Sequence, residues 1–462
     1  MYQVNVNNPI HIHFIGIGGI SMSGLATLLK KRGFEISGSD RDKNEVTEAL
    51  KAAGIKVYRG QYAENITDGI DLVVYTAAIH PDNPEYAECV RRGLPMMDRA
   101  TLLGQLCKFF RRSVGIAGTH GKTTTTSMVA CIMLAADADP TVSVGGMLPA
   151  IGGNLRIGGE DNFIFEACEY TNSFLKFFPT DVAILNIEED HLDFFKDLDD
   201  IRHSFAEYAD IPKEGGHVVI NADIRDYKAI VANAKAKVST YSLNDKSADF
   251  SATDVSYDVF GNATFTLLKK GVPDATIKLG VPGEHNVSNA LAAIALCEDL
   301  GVDIDAVKAG LKSFTGTDRR FQKKGELPGG VTVIDDYAHH PTEISATIHA
   351  ARMTDIKGRL WVVFQPHTYT RTIALREDFV KALSAADVVV MAKIYAAREA
   401  DEGIISSDDL CEDLREMGKE AYYLPTFDEI ENFLLKNLVN GDLLITMGAG
   451  DVVKIGEHLL GE

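Results

Sequence analysis

The nine residues GTHGKTTTT, Gly118 to Thr126, follow the apolar run Val114–Ala117 and lead into the helix-like segment SMVACIMLA. Such a turn needs a buried strand in front of it and a helix behind it. Between those two elements it aims several backbone N–H groups and the positive end of the helix dipole at one point, which suits a polyphosphate. In that arrangement Lys122 meets the β- and γ-phosphates, and the Thr123 hydroxyl holds Mg²⁺. The pattern departs from the usual one, because Ile116 stands where the first glycine belongs and the glycine is at Gly118. The competing reading is a Gly/Thr turn that only caps a helix, with Thr119 as the N-cap. GKT directly after an apolar strand favours the nucleotide, ATP or a similar one.

Strand-like runs alternate with helix-like segments along the whole chain, which argues for parallel sheets flanked by helices. The first block runs from HIHFIGI through GIGGISMSG to FEISGSD, KVYRG and DLVVYTAAI, and ends near Arg111. The second opens with SVGIAG and continues through NFIFEACE, VAILNIEEDH and VVINAD. An alternating β-like stretch, Asp249 to Leu279, and the helix HNVSNALAAIALCEDLG complete it. FTGTDRRFQ joins it to a third block with TVIDDYAHHP, RLWVVFQPHTYTRT, DVVVMAKIY and LLITMGAGD. Each apolar run ends in polar or glycine residues, which puts the sites at the carboxyl ends of strands. A length of 462 residues also exceeds what one core usually supports.

Charge narrows the partners. With 46 basic against 66 acidic residues the net charge is −20, which repels nucleic acid and anionic membranes and leaves room for a local basic pocket. The six cysteines are scattered, without zinc spacing, and read as reduced thiols. No apolar run reaches membrane-spanning length, and MYQVNVNNPIHIHF lacks the features of a signal peptide. A cytoplasmic protein is expected.

The turn GIGGISMSG resembles a dinucleotide fingerprint in which Gly16 and Gly18 fit and Ser21 replaces the last glycine. Asp40, at the end of the next strand, is placed to meet a ribose hydroxyl. A nucleotide-containing second substrate is the economical reading, and a tight turn without a ligand is its alternative. Downstream of the P-loop, Glu166/Glu169 and Glu188, Glu189, Asp190 and His191 each end a strand candidate. Carboxylates at neighbouring strand ends supply the hard oxygen ligands that Mg²⁺ needs, although solvated loop acids would look the same. A third group is Asp335, Asp336, His339 and His340, and a fourth is His367 with Arg371. These suit positioning a carboxylate and stabilising developing charge; surface turns with a capping Asp are the alternative.

HFIGIGGISMSGLA, GTHGKTTT, EACEYTNSF, NIEEDHLDF, GEHNVSNALAA, FTGTDRRFQ, DDYAHHPTE and QPHTYTRT, in this order, resemble the Mur ligases from about His11 to Gly450. Within that family they resemble the member that adds the first amino acid, L-alanine, to UDP-N-acetylmuramate in peptidoglycan precursor synthesis. The resemblance implies an α/β fold of three domains. These are an N-terminal Rossmann-like UDP-sugar domain over 1–110, a central P-loop ATPase domain with a mostly parallel sheet over 111–313, and a C-terminal Rossmann-like domain over 314–462 that closes over the site. It implies an ATP-dependent acid–amino-acid ligase that activates the sugar carboxylate as an acyl phosphate. The amine of L-alanine then attacks through a tetrahedral intermediate, and ADP and phosphate leave.

Carried over by motif, Gly118, Thr119, His120, Gly121, Lys122, Thr123 and Thr124 bind the phosphates. Thr123 and Glu169 hold one Mg²⁺, and His191 holds a second or orients the nucleotide. Asn289, Arg320 and Asp336 contact the adenine, phosphates and ribose. His339, His367 and Arg371 lie near the reacting carboxylate or the amino acid. Gly16, Gly18, Gly19, Ile20, Ser21, Met22, Ser23, Asp40, Thr76 and Arg99 face the UDP part.

Departures from the family's pattern are Ser21, Cys168 in EACEY, and Thr368 where arginine is common. Sister ligases that add later residues carry a modified lysine after the DH pair; IRHSFAEYA offers none, with Phe205 near that place. Three rivals remain: a recycling ligase that attaches a whole peptide to the same sugar nucleotide, a nicotinamide-dependent oxidoreductase built on the first domain, and an ATP-binding switch or motor that hydrolyses without an acceptor. A monomer and a homodimer are equally compatible with the sequence.

Overall fold

The computed structural model describes residues 2–5, 7–76, 78–397 and 399–462, and the side chain of Ile20 lies outside the described part. Three sheets follow one another along the chain. The first holds β1 (His11–Ile15), β2 (Glu35–Asp40), β3 (Lys56–Arg59), β4 (Leu72–Tyr75) and β5 (Met96–Asp98), all parallel in the order β3-β2-β1-β4-β5. The chain reverses direction of travel between β1 and β4. There the loops that leave the two strands part and open a crevice at their carboxyl ends. Ile12, Phe14 and Ile15 of β1 are fully buried, as expected for a central parallel strand covered on both faces.

The second sheet has ten strands: β6 (Arg112–Ala117), β7 (Thr141–Leu148), β8 (Gly153–Arg156), β9 (Asn162–Glu166), β10 (Asp181–Ile184), β11 (His217–Asn221), β12 (Lys237–Ser242), β13 (Phe250–Tyr257), β14 (Asn262–Lys269) and β15 (Val272–Pro282). Their order is β15-β14-β13-β12-β11-β10-β6-β9-β7-β8. The run from β7 to β13 is parallel, and antiparallel pairs close both ends. The alternating stretch Asp249–Leu279 is the β13–β15 meander. β6 lies between β10 and β9, in register Ala117 to Ile184 and Ile116 to Glu166, so the three loops that leave these strands emerge side by side. The helix Lys122–Ala135 is buried on nearly all sides; a Cβ on Gly310 of the helix Ile304–Ser313 would lie 2.4 Å from the Ile132 Cα, so the two backbones touch.

The third sheet comprises β16 (Gln322–Leu327), β17 (Val331–Asp336), β18 (Leu360–Phe364), β19 (Val388–Met391), β20 (Glu420–Tyr423) and β21 (Leu443–Met447) in the order β16-β17-β21-β18-β19-β20, parallel except for β16 at the edge. The join FTGTDRRFQ holds Arg319 and Phe321 at φ 61° and 49°. This strained backbone is fixed because the Phe321 N–H donates to Asp336 at 2.7 Å and the Arg319 guanidinium reaches Asp335 at 3.0 Å. Among the described residues, no helix is long and apolar enough to cross a membrane.

Candidate active site

The turn after β6 is the focus of the central sheet. Gly118 (φ 149°) and Gly121 (φ 82°) adopt backbone that side chains rarely tolerate; a Cβ there would press on the Leu185 Cβ at 2.9 Å and the Asn289 Oδ1 at 2.6 Å. Asn186 clamps the turn, accepting from the His120 N–H at 2.7 Å and donating to the His120 carbonyl at 3.1 Å. The N–H groups of 122–124 begin a helix and have no intrahelical acceptor, so they point at whatever the turn holds. Lys122 curls back to donate to the Gly118 and Thr119 carbonyls at 2.5 and 3.1 Å and to Glu169 at 3.0 Å. Burial pulls its ammonium down, but Glu169 and Glu166 outweigh that and hold it charged, above the ordinary lysine range.

The carboxylate on the Thr123 hydroxyl is that of Glu166, at 3.2 Å, whereas Glu169 takes Lys122 and lies 3.8 Å from the His191 Nε2. Thr123 and Glu169, expected to share one Mg²⁺, thus each face a different partner here. The cause is register, since Glu166 is the last residue of β9 beside Ile116 and sits under the first helical turn, three residues before Glu169. Burial raises the Glu166 carboxyl against the N–H of Gly145 and the Thr123 hydroxyl. His191 has φ 54° and stacks on Tyr170 with ring centroids 4.5 Å apart. Thr123, Glu166, Glu169 and His191 together offer a hard-donor set for a divalent cation beside a polyphosphate cradle, so the residues present fit a metal–nucleotide pair.

A cavity of about 180 Å³ opens beside the turn, lined by Gly121, Thr124, Asn289, Arg320 and Asp336 among others. With His120 it brings together six of the residues expected at the nucleotide. Asp336 accepts from the Phe321 and Ala338 N–H groups at 2.7 and 2.8 Å, and burial lifts its carboxyl to about 6 even against Arg320. His285, the histidine of the GEHNVSNALAA motif, also lines this cavity, although the motif assigned it no role. Burial holds its imidazole neutral, down at about 4.

A second cavity, about 510 Å³, lies between the central and C-terminal domains and is lined by Tyr170, Asp190, His191, His367, Thr368, Arg371 and Glu399, among others. Arg371 donates to Asp190 at 2.8 Å across the domain boundary. Burial works to raise the Asp190 carboxyl, but Arg371 and His191 hold it well below the usual carboxylate range. His367 Nδ1 lies 3.1 Å from the Arg371 Nη1, and the His339 ring faces His367 at 6.0 Å. Burial, with Arg371 adding to it, brings His339 and His367 down to about 4, so both rings are neutral at pH 7. Glu343 is a participant that the motifs did not single out. It receives the His339 N–H at 3.0 Å and the His120 Nδ1 at 3.1 Å, and it is the last residue of the DDYAHHPTE motif, which assigned it no role. The two histidines hold its carboxylate well below its ordinary range, although burial opposes them.

In the first domain the expected residues also converge, mostly on one another. Gly18 donates its N–H to Asp40 at 2.8 Å, the Asp42 N–H takes the other Asp40 oxygen at 3.2 Å, and Arg99 reaches the Ser21 hydroxyl at 2.9 Å. A Cβ on Gly16 would lie 2.9 Å from Thr76, so the loops after β1 and β4 touch there. Gly19 and Ser23 belong to the same turn, the Ser23 N–H donating to the Gly19 carbonyl at 2.8 Å. The Met22 side chain is 2 % exposed and packs in the core, because one helical turn past the glycines that face points at the sheet. Ile20 begins the helix, and its side chain lies outside the described part. Burial and Glu169 raise the Cys168 thiol, while Lys122 and Arg99 pull it down. Phe205, near the place where the sister ligases carry a modified lysine, is fully buried against Phe174.

Three family descriptions match successive parts of the chain: "Mur ligase family, catalytic domain" over 11–111, "Mur ligase middle domain" over 116–297 and "Mur ligase, glutamate ligase domain" over 319–450. The UDP-N-acetylmuramate–L-alanine ligases of Lachnospira eligens and Agathobacter rectalis are 57% and 58% identical to the chain, over 100% of both partners in each case. The crystal structure of UDP-N-acetylmuramate-alanine ligase from Thermotoga maritima superposes with a TM-score of 0.82 at 30% identity, covering 98% of each chain. A murein peptide ligase from Psychrobacter arcticus gives 0.73 at 25% identity, again over 98% of each chain. With three α/β domains in this order and more than half its residues shared with full-length relatives, the chain belongs to the Mur ligase family.

Proposed function

We propose that this protein is an ATP-dependent ligase that joins L-alanine to UDP-N-acetylmuramate, with Mg²⁺, as an early step of peptidoglycan precursor synthesis. The observation that carries the reading is the buried Lys122, held charged at a glycine turn beside two strand-end carboxylates and opposite a cavity walled by Arg371, His367 and His191. Two anions, a carboxylate and a triphosphate, meet only where cations and oriented N–H groups offset their repulsion. The identity to full-length alanine-adding relatives favours this acceptor over a peptide.

Each cluster then has a task. When bound, Mg²⁺–ATP supplies an electrophilic γ-phosphoryl group. Thr123 and Glu166, with Glu169 and His191 nearby, hold the cation, and Gly118–Thr124 hold the phosphates. Asn289, Arg320 and Asp336 line the place of the base and ribose. A carboxylate oxygen of the sugar substrate attacks phosphorus and ADP leaves, giving an acyl phosphate. The amine nitrogen, as the free base, then adds to the carbonyl carbon, and the tetrahedral species gives up an N–H proton to solvent and expels phosphate as the amide forms. Lys122 must leave the Gly118 and Thr119 carbonyls to follow the charge as it moves. Arg371 stabilises the oxyanion side, and the neutral rings of His339 and His367 orient donors without adding charge.

The domains of this reading are 1–110, 111–313 and 314–462, and the UDP part would lie in the first crevice, near Asp40, Thr76 and Arg99. On this reading the enzyme works in the cytoplasm, as a monomer or homodimer. The test is phosphate release from ATP with Mg²⁺ and UDP-N-acetylmuramate, with and without L-alanine. Release that needs both supports the reading. Release with a peptide acceptor alone would move the assignment to the recycling type, and release without an acceptor would leave only an ATPase.

A further inference from the structure

The turn that holds the nucleotide also carries His120, whose backbone belongs to the phosphate cradle while its side chain turns toward the C-terminal domain. The Nε2 of His120 is buried and has no hydrogen-bond partner among the described residues; it lies 3.5 Å from the Glu188 carboxylate. The His340 ring packs against the His120 ring, with centroids 4.6 Å apart. One donor atom from each of His120, Glu188 and His340 lies within 4.8 Å of the others. His120 and Glu188 belong to the central domain. His340 caps the helix Pro341–Arg352 of the C-terminal domain.

Two imidazoles and one carboxylate form the donor set of an open zinc site. The surroundings carry the supports such a site needs. His120 presents its other nitrogen, Nδ1, to the Glu343 carboxylate at 3.1 Å, and His340 gives its Nε2–H to the Glu189 carbonyl at 3.1 Å. A carboxylate or carbonyl behind each ligating ring fixes its tautomer and orientation. The remaining contact of His340 is a long one, Nδ1 receiving the Thr342 N–H at 3.3 Å.

We propose that His120, Glu188 and His340 form a binding site for a zinc-class divalent transition metal, bridging the central and C-terminal domains. It is distinct from the oxygen-rich place beside Thr123 and Glu166, which suits Mg²⁺; imidazole donors prefer the softer ion, so the two places sort different metals. Donor atoms around a tetrahedral ion with bonds of about 2.0 Å stand roughly 3.3 Å apart, so side-chain rotations that draw the cluster together are enough. As the metal–nitrogen bond forms, the proton on the His120 Nε2 leaves to solvent. Occupancy ties the C-terminal helix to the phosphate turn and opposes opening of the nucleotide cavity.

The test is a Zn²⁺ titration of the full chain in excess Mg²⁺ against a chromophoric chelator, with Co²⁺ absorption as the spectroscopic reading. It uses neither ATP nor sugar nucleotide, so its outcome is independent of the ligase reading. The proposal expects one Zn²⁺ per chain that Mg²⁺ does not displace. Glu188→Gln and His340→Asn should each weaken it by at least 10- to 100-fold, and Glu343→Gln by about 10-fold. Asn at 340 keeps a helix-capping acceptor; if that variant still does not fold, Glu188→Gln carries the test. Unchanged Zn²⁺ affinity in Glu188→Gln, ready displacement by Mg²⁺, or loss of binding in Glu169→Gln alone would overturn it.

Discussion

The two glycine turns of this molecule look alike in sequence and differ in what their polar groups face. In the first domain the N–H groups of Gly16 and Ile17 both go to the Ser39 carbonyl, that of Gly18 to Asp40 and that of Gly19 to the Gly16 carbonyl. In the central domain the N–H groups of Thr119 and His120 go to Asn186 in the same way, but a buried lysine is held charged within the turn by Glu169. The first turn is thus a shape completed by its own acid, with Arg99 brought to it from another helix. The second carries its own charge. A site that only holds a nucleotide sugar needs the former, and one that moves a phosphoryl group needs the latter.

The sharpest way to break this contrast is Lys122→Ala. It should lower phosphate release that depends on both substrates by about a thousandfold, with chain folding checked by circular dichroism. Near-normal turnover would remove the charged turn from the chemistry. Arg371→Ala is next. It leaves Asp190 buried without its cation, a loss of about 3–5 kcal/mol when such a pair is broken one-sidedly, and kcat should drop about a hundredfold. Asp190→Asn in the same chain should recover melting temperature but not kcat; recovery of both would make the pair merely structural.

Asp40→Ala probes the other turn. Its effect should be confined to a rise of about tenfold in the KM for UDP-N-acetylmuramate, with the KM for ATP unchanged. An equal rise for ATP would merge the two turns into one site.

Acidification gives the smallest effect. His285, His339 and His367 sit near 4 in the fold against an ordinary value near 6.5, so the unfolded chain binds more protons in that window. Their contribution to stability is complete above 6.5 and is lost as pH falls toward 4. Asp336, lifted to about 6, offsets part of this. His120, raised to about 9 because Glu343 and Glu188 outweigh its burial, acts at the other end, stabilising below 6.5 and fading as pH rises through 9. The melting temperature should therefore fall between pH 6.5 and 4, and His339→Gln should flatten that fall. An unchanged slope would contradict the buried neutral ring.

Much of this was legible in the sequence because strand ends and glycine turns carry their own punctuation. The P-loop, Asp190 with His191, and His367 with Arg371 were all placed at the ends of apolar runs, and the cavities gather them there. What was hidden depends on register and on distant elements. Which of Glu166 and Glu169 meets Thr123 is decided by the pairing of β9 with β6. Met22 sits in a glycine motif, yet helical phase turns it into the core. Glu343 reads as an ordinary first-turn acid, and only the closing of the C-terminal domain brings it to His120, more than two hundred residues away. His285 lies in the GEHNVSNALAA motif, but nothing local in it gives the neutrality of the ring, which comes from burial.

The most direct test of the central claim, that the charged turn transfers a phosphoryl group to the sugar carboxylate, is an isotope experiment. UDP-N-acetylmuramate labelled with ¹⁸O in its carboxylate would be turned over with ATP, Mg²⁺ and L-alanine, and the released phosphate analysed by mass. An acyl phosphate requires one carboxylate oxygen to leave with the phosphate, so labelled phosphate should match amide formed one for one. Amide formation with unlabelled phosphate would contradict the account.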